Sequence, residues 1–253
     1  MFKWLAVLLV LVSSLGVANG QNSSRRDSIT ACFMFAGDYA LYIPGGDLAD
    51  RMGLHSGAGL SIHYKSRNAW IFSANWKYLF GDQLRERGVL DSISTSNGFV
   101  IDKEGKMADI RMYPRGFNLY FSVGRIFTNI LSPNPNSGPF ISAGAGYMQH
   151  KIRIYDNGGR TPQLQGDYLK GYDRLTSGLM INQFVGFWFM SKSRFTNFYA
   201  GFEFNQAFTK SRRSWNYDLM RADTSKRIEL QYGFRVGWNI LLNRTGNQQY
   251  YMY

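Results

Sequence analysis

The chain has 253 residues, 29 Lys and Arg against 17 Asp and Glu, a net charge of +12, one cysteine and 16% aromatic residues. One cysteine excludes an internal disulfide framework, and histidines at 55, 63 and 150, with no HExxH or paired-cysteine spacing, offer no metal motif. The aromatic share suits the interfacial girdles of a transmembrane barrel better than a soluble domain, and the basic balance of an exported chain points to acidic lipid headgroups rather than nucleic acid.

Met1-Phe2-Lys3, an apolar run from Trp4 to Val17 and the small-residue site Ala18-Asn19-Gly20 read as a secretory signal peptide, residues 1–20. The run is shorter than the ~20 residues that a spanning helix needs. Cys32 lies too far from this run for a lipoprotein anchor and reads as a small strand residue.

The first strand is expected over 30–41, where Phe33, Phe35, Tyr39 and Leu41 alternate with Cys32, Met34, Ala36 and Asp38. It is expected to break at Ile43-Pro44-Gly45-Gly46, since proline and paired glycines punctuate a pleated run. Strands two and three, 55–65 and 70–80, are separated only by the turn Ser66-Arg67-Asn68, and Trp70, Phe72, Trp76 and Tyr78 oppose Ser73, Asn75 and Lys77. A long polar loop then runs to about Arg115, with part of 99–112 able to extend the strands beyond a membrane.

Strand four is read over 117–127, where Arg125 breaks the apolar parity and is expected to snorkel to an interface. After the turn Ser132-Pro133-Asn134-Pro135-Asn136-Ser137-Gly138, strand five covers 140 to about 154. Strand six, 175–189, is apolar on both parities late on, which leaves its facing open. Strand seven sets Phe198, Phe202, Phe204 and Phe208 against Tyr199, Glu203 and Asn205. The closing segment, 228–242, is the clearest: Ile228, Leu230, Tyr232, Phe234, Val236, Trp238, Ile240 and Leu242 share one parity, and Glu229, Gln231, Arg235 and Asn239 share the other. Period two sends these sets to opposite faces, and fifteen residues exceed a soluble strand but suit a tilted bilayer crossing, which needs ~9–11 in the hydrocarbon.

The fold class expected is therefore all-β: an eight-stranded antiparallel transmembrane β-barrel over 21–242, with long external loops, short periplasmic turns and a C-terminal periplasmic tail, 243–253. Eight strands leave an interior just wide enough for side chains, so Asp38, Lys77, Glu203, Glu229 and Arg235 are expected to form a charged interior filling. The loop between the last two strands carries Lys210, Arg212, Arg213, Arg221, Lys226 and Arg227 beside Trp215 and Tyr217, and on the external side it would meet the phosphates of lipopolysaccharide. No catalytic, cofactor or metal site is expected. Ser61 and His63 have the spacing of a base and nucleophile on one strand face, but that face points into a narrow lumen.

The segments Gly45-Gly46-Asp47-Leu48-Ala49-Asp50-Arg51, Asn134-Pro135-Asn136-Ser137-Gly138, Gly171-Tyr172-Asp173-Arg174-Leu175 and Asn197-Phe198-Tyr199-Ala200-Gly201-Phe202-Glu203, with the tail Tyr250-Tyr251-Met252-Tyr253, resemble a group of small outer-membrane proteins of Bacteroidota. The resemblance implies an outer-membrane barrel and carries over no catalytic residue. A looser similarity to OmpA-type and OmpX-type barrels rests on the eight-strand pattern alone. The function expected is structural or interactive, such as an accessory subunit of an envelope assembly or secretion machine with possible protein partners. Alternatives are a small-solute channel, a lipid-modifying barrel enzyme and a secreted soluble β-barrel.

Overall fold

The computed structural model describes residues 31–128, 130–191 and 195–244, without the side chains of 243 and 244. The expected signal peptide, the polar lead after it and the tail beyond 244 lie outside the described residues. Eight strands follow one another: β1 Cys32–Gly46, β2 His55–Lys65, β3 Trp70–Phe80, β4 Ile110–Ile126, β5 Gly138–Asp156, β6 Thr176–Met190, β7 Asn197–Ser211 and β8 Lys226–Arg244. Each pairs antiparallel with the next, and β8 closes onto β1, so the sheet is a barrel without a free edge. Among the described residues no helix is long and apolar enough to cross a membrane.

Alternation sets the two surfaces. Along β8, Glu229, Gln231, Gly233, Arg235, Gly237 and Asn239 are buried inside, while Ile228, Phe234, Val236 and Trp238 stand exposed outside. The same rule turns Phe33, Ile62, Phe72, Phe121 and Phe202 outward from five other strands. Soluble monomers rarely expose apolar patches beyond a few hundred Å², yet here aromatic and aliphatic side chains surround the barrel. Arg125 stands exposed at the end of β4, its guanidinium 5.6 Å from the centre of the Trp70 ring.

Two boundaries differ from the sequence expectation, and the facing of β6, which the sequence left open, is set. β1 does not break at Pro44 but runs to Gly46. Its pairing with β2 ends at Tyr42 opposite His55, whereas its pairing with β8 continues through Pro44 to Gly46, so the missing proline N–H falls where one side of the strand has no partner. Gly46, at φ +57°, then turns the chain into the short helix α1, Asp47–Arg51, and a Cβ there would strike the Ile228 carbonyl. β4 begins at Ile110 and pairs from there with the far end of β5, so this hairpin stands well above the other strands. β6 keeps its even positions inward, which puts Phe184 and Trp188 inside the lumen.

The long connections are packed rather than loose. Val89, Leu90 and Val100 from the β3–β4 connection meet Ile152 and Ile154 of β5 and Leu164 and Tyr172 of the β5–β6 connection in a second apolar core. The extended β4–β5 hairpin backs this packed head at the long-loop end of the barrel.

Candidate functional site: a closed lumen and a basic outer rim

β1, β3, β7 and β8 each send one charged side chain to the middle of the lumen. Arg235 Nη2 lies 2.9 Å from Asp38 Oδ2 and its Nη1 3.3 Å from Glu203 Oε1. Lys77 Nζ lies 2.8 Å from Glu203 Oε2 and 3.2 Å from Asp38 Oδ1. Two cations and two carboxylates thus form a closed, charge-balanced ring with almost no exposure. Buried ions are tolerated only when their remaining lone pairs and protons also find partners. Here Tyr120 donates to Glu203 at 2.6 Å, Asn182 donates to it at 3.0 Å, and Tyr42 donates to it as well. Ser61 donates to Asp38 at 3.0 Å, and Arg235 donates to Asn75 at 3.1 Å.

Glu229 is inside the barrel but apart from this ring. It lies six residues from Arg235 along β8, about 20 Å at strand rise, and its Oε2 lies 2.8 Å from His150 Nε2. Between the two levels, Gln231 accepts from Asn118 at 3.1 Å and from Asn205 at 3.2 Å and contacts His55 at 3.1 Å.

Toward the end of the barrel that holds the short β2–β3, β4–β5 and β6–β7 connections, the filling changes to rings. Trp188 and Tyr199 stack at 5.1 Å with 6° between planes, Phe140 meets Trp188 edge-on at 5.2 Å, and Phe184 meets Tyr199 edge-on at 5.9 Å. Met34, Ile71, Ile126 and Leu241 complete this apolar plug. The stack fits because Gly237 on β8 leaves room for the Tyr199 ring, which a Cβ would overlap. Gly237→Val is expected to cost about 1–3 kcal/mol through overpacking, read as a lower urea midpoint for the folded barrel. A variant as stable as the parent would show that the plug yields freely. Below the plug, the β4–β5 turn reaches across, with Lys65 Nζ donating to Asn136 Oδ1 at 2.7 Å and Asn134 Nδ2 donating to the Met190 carbonyl at 3.0 Å.

The mouth at the long-loop end is covered too. α1 buries Leu48 and Arg51 over it, and Asp47 accepts from the Ile228 amide at 2.7 Å. Arg51 pairs with Glu86 at 3.0 Å and donates to Thr176 at 2.7 Å, and Glu86 also pairs with Arg174, which in turn pairs with Asp218. Strands and loops far apart in sequence are tied across the opening.

His63 lies in the lumen wall near the plug. Its Nδ1 contacts Ser73 at 2.7 Å, rather than the Ser61 of the sequence spacing, and its ring meets Trp188 and Tyr199 edge-on. Among the described residues no group of three His, Cys, Asp or Glu side chains could hold a metal ion.

The six cations of the β7–β8 region divide by facing. Arg213 donates from Nε to Asp173 at 2.7 Å, and its Nη2 lies 2.5 Å from the same carboxylate; this hydrogen bonding raises the guanidinium above its ordinary value. Arg227 pairs with Asp223, whose carboxyl burial pushes up but which the bonds from Arg227 and the Ser225 amide hold below its ordinary range. Lys210, Arg212 and Lys226 instead lie on the outward face, exposed, and Arg221 is exposed in the loop.

No family model matches the chain, and no curated protein is similar to it in sequence. Among solved structures, Neisserial surface protein A is 13% identical with a TM-score of 0.43, covering 81% of this chain and 96% of its own. The attachment invasion locus protein Ail of Yersinia pestis is 10% identical with a TM-score of 0.43, covering 83% and 99%. The outer membrane protein OprG from Pseudomonas aeruginosa is 12% identical with a TM-score of 0.37, covering 85% and 99%. Both measures are low, and the barrel stands on this chain's own strand pairing.

Sequence reasoning did not anticipate the aromatic plug or the packed head. The double-sided apolar end of β6 was the available signal for the plug, since a strand greasy on both faces must bury one inside. Val89, Leu90 and Val100, scattered through a polar stretch, gave no comparable sign.

Proposed function

We propose that this chain is a non-enzymatic barrel of the outer membrane, exported through a cleaved signal peptide, with a structural or interaction role. One contrast carries the reading: the outward face is apolar all round, while the inside is closed by an ion ring, an aromatic plug and a capped mouth. A greasy exterior needs lipid, and a barrel whose backbone bonds are all satisfied between strands can enter it. The closed interior weighs against solute passage, and the pre-packed external head offers a rigid platform for a protein partner. An accessory subunit of an envelope assembly or secretion machine fits that arrangement, as does the resemblance to the Bacteroidota barrels, whose matching segments fall at α1, the β4–β5 turn, the entry to β6 and the start of β7.

Two measurements test the reading. The purified chain is expected to partition into detergent and to fold in lipid vesicles with heat-modifiable gel mobility; extraction without detergent would sink the membrane reading. In planar bilayers it is expected to give no sustained current step. A stable open level at neutral pH would replace the closed barrel with a small-solute channel.

A further inference from the structure

On the outer face, the hydrogen-bonded rows across β4 to β8 change chemistry within one step. The row Leu119, Tyr147, Leu179, Phe208, Ile228 is aromatic and aliphatic. The next row toward the external end reads Phe117, Gln149, Ser177, Lys210, Lys226. Lys210 and Lys226 therefore stand directly opposite each other on neighbouring strands, both outward and both exposed. Like charges in that position repel, and among the described residues neither has a carboxylate within ion-pair distance. The inward-turned neighbours Arg213 and Arg227 have theirs. The unbalanced charge thus lies on the lipid side.

Arg212 adds a third cation, two positions beyond Lys210 on the same face. Its Nε donates to Ser177 Oγ at 2.6 Å, and the Tyr147 hydroxyl holds the same oxygen at 2.6 Å. The guanidinium is thereby fixed at the rim, and its two Nη groups make no hydrogen bond among the described residues. These three side chains, together with the Asp223-paired Arg227, line a groove of about 540 Å³ that also takes in Leu179, Phe208 and Ile228. Apolar side chains beside a cationic lip have the chemistry of an acyl chain joined to a phosphate.

We propose that Lys210, Arg212 and Lys226 bind a phosphate of a phosphorylated, acylated glycolipid in the external leaflet. The site rests on the membrane reading above, since only an inserted barrel brings this rim level with headgroups. It differs from the loop-wide expectation in leaving out Arg213 and Arg227, whose charges are already matched within the chain.

The test uses the full barrel folded into phosphatidylcholine vesicles that contain either phosphorylated lipid A or its dephosphorylated form, with retained glycolipid measured after detergent extraction. The parent is expected to retain the phosphorylated form about tenfold better, the scale of a lost charge-assisted contact. The double variant Lys210→Gln with Lys226→Gln should lose that preference, and Arg221→Gln, a cation of the same loop away from the groove, should keep it. An unchanged preference in a double variant that shows heat-modifiable mobility overturns the site and leaves the membrane reading standing. Displacement of the lipid by inorganic phosphate alone overturns it in favour of a free-anion site. Failure of the parent itself to insert brings down both readings.

Discussion

Arg235→Met is expected to destabilise the folded barrel by ~3–5 kcal/mol, because it leaves an uncompensated charge inside a closed lumen. Asp38 and Glu203 would then share Lys77 as their one cation. Asn75 and Tyr120 would each also lose a partner in Arg235. Urea titration of folding in lipid vesicles reads the change. The decisive comparison is the double variant with Asp38→Asn, which restores one cation to one carboxylate. It should lie closer to the parent than the sum of the single variants by ~0.5–3 kcal/mol, the range of coupling between residues in one network. A single-variant cost below ~1 kcal/mol, or simple additivity in the double, would mean that the ring carries little of the stability. The same ring fills the middle of the lumen, so loss of Arg235 also tests whether closure depends on charge as well as on the rings below it.

The second large effect concerns the outer face. Phe234→Arg is expected to cost ~2–4 kcal/mol, and Ile228→Arg only ~0–1 kcal/mol, because a cation at a barrel's lipid face is penalised by depth. The two positions share the outward parity of β8 and differ by six residues, about 20 Å along the strand and about 15 Å in height at a tilt near 40°. Ile228 borders the cationic rim, so Phe234 lies about halfway through an apolar band ~25 Å tall. Phe234 also meets the Phe202 ring edge-on at 5.6 Å, a contact worth ~0.5–1.5 kcal/mol; Phe234→Leu isolates that part from the burial of charge. Equal costs for Arg at 228 and 234 would remove the depth gradient and with it the bilayer. Gln231 is a poor control despite facing away from lipid, since it is packed among Asn118, Asn205 and His55 and an Arg there would be too large for the lumen.

What the sequence by itself determined is the number of strands and, for most of them, which face each residue takes. Period two is a local property: once 228–242 alternates, Phe234 and Arg235 must point to opposite sides whatever the rest of the chain does. The ends of strands were less legible. Pro44 and Gly45-Gly46 signal a break locally, yet β1 continues because β8 is long enough to pair with it there. The facing of β6 was open for a related reason, since apolar residues on both parities fit either side until the lumen shows a space for Phe184 and Trp188.

Only the tertiary structure decided which inward residues meet. Asp38, Lys77, Glu203 and Arg235 share a level, and Glu229 pairs with His150 instead, because strand tilt and register set height in the lumen and neither is written in any one strand. The division of the basic loop has a related origin: Arg212 and Arg213 are neighbours in sequence, but the pleat turns one to the outer face and the other to Asp173, a partner forty residues away that the antiparallel pairing of β6 with β7 brings alongside.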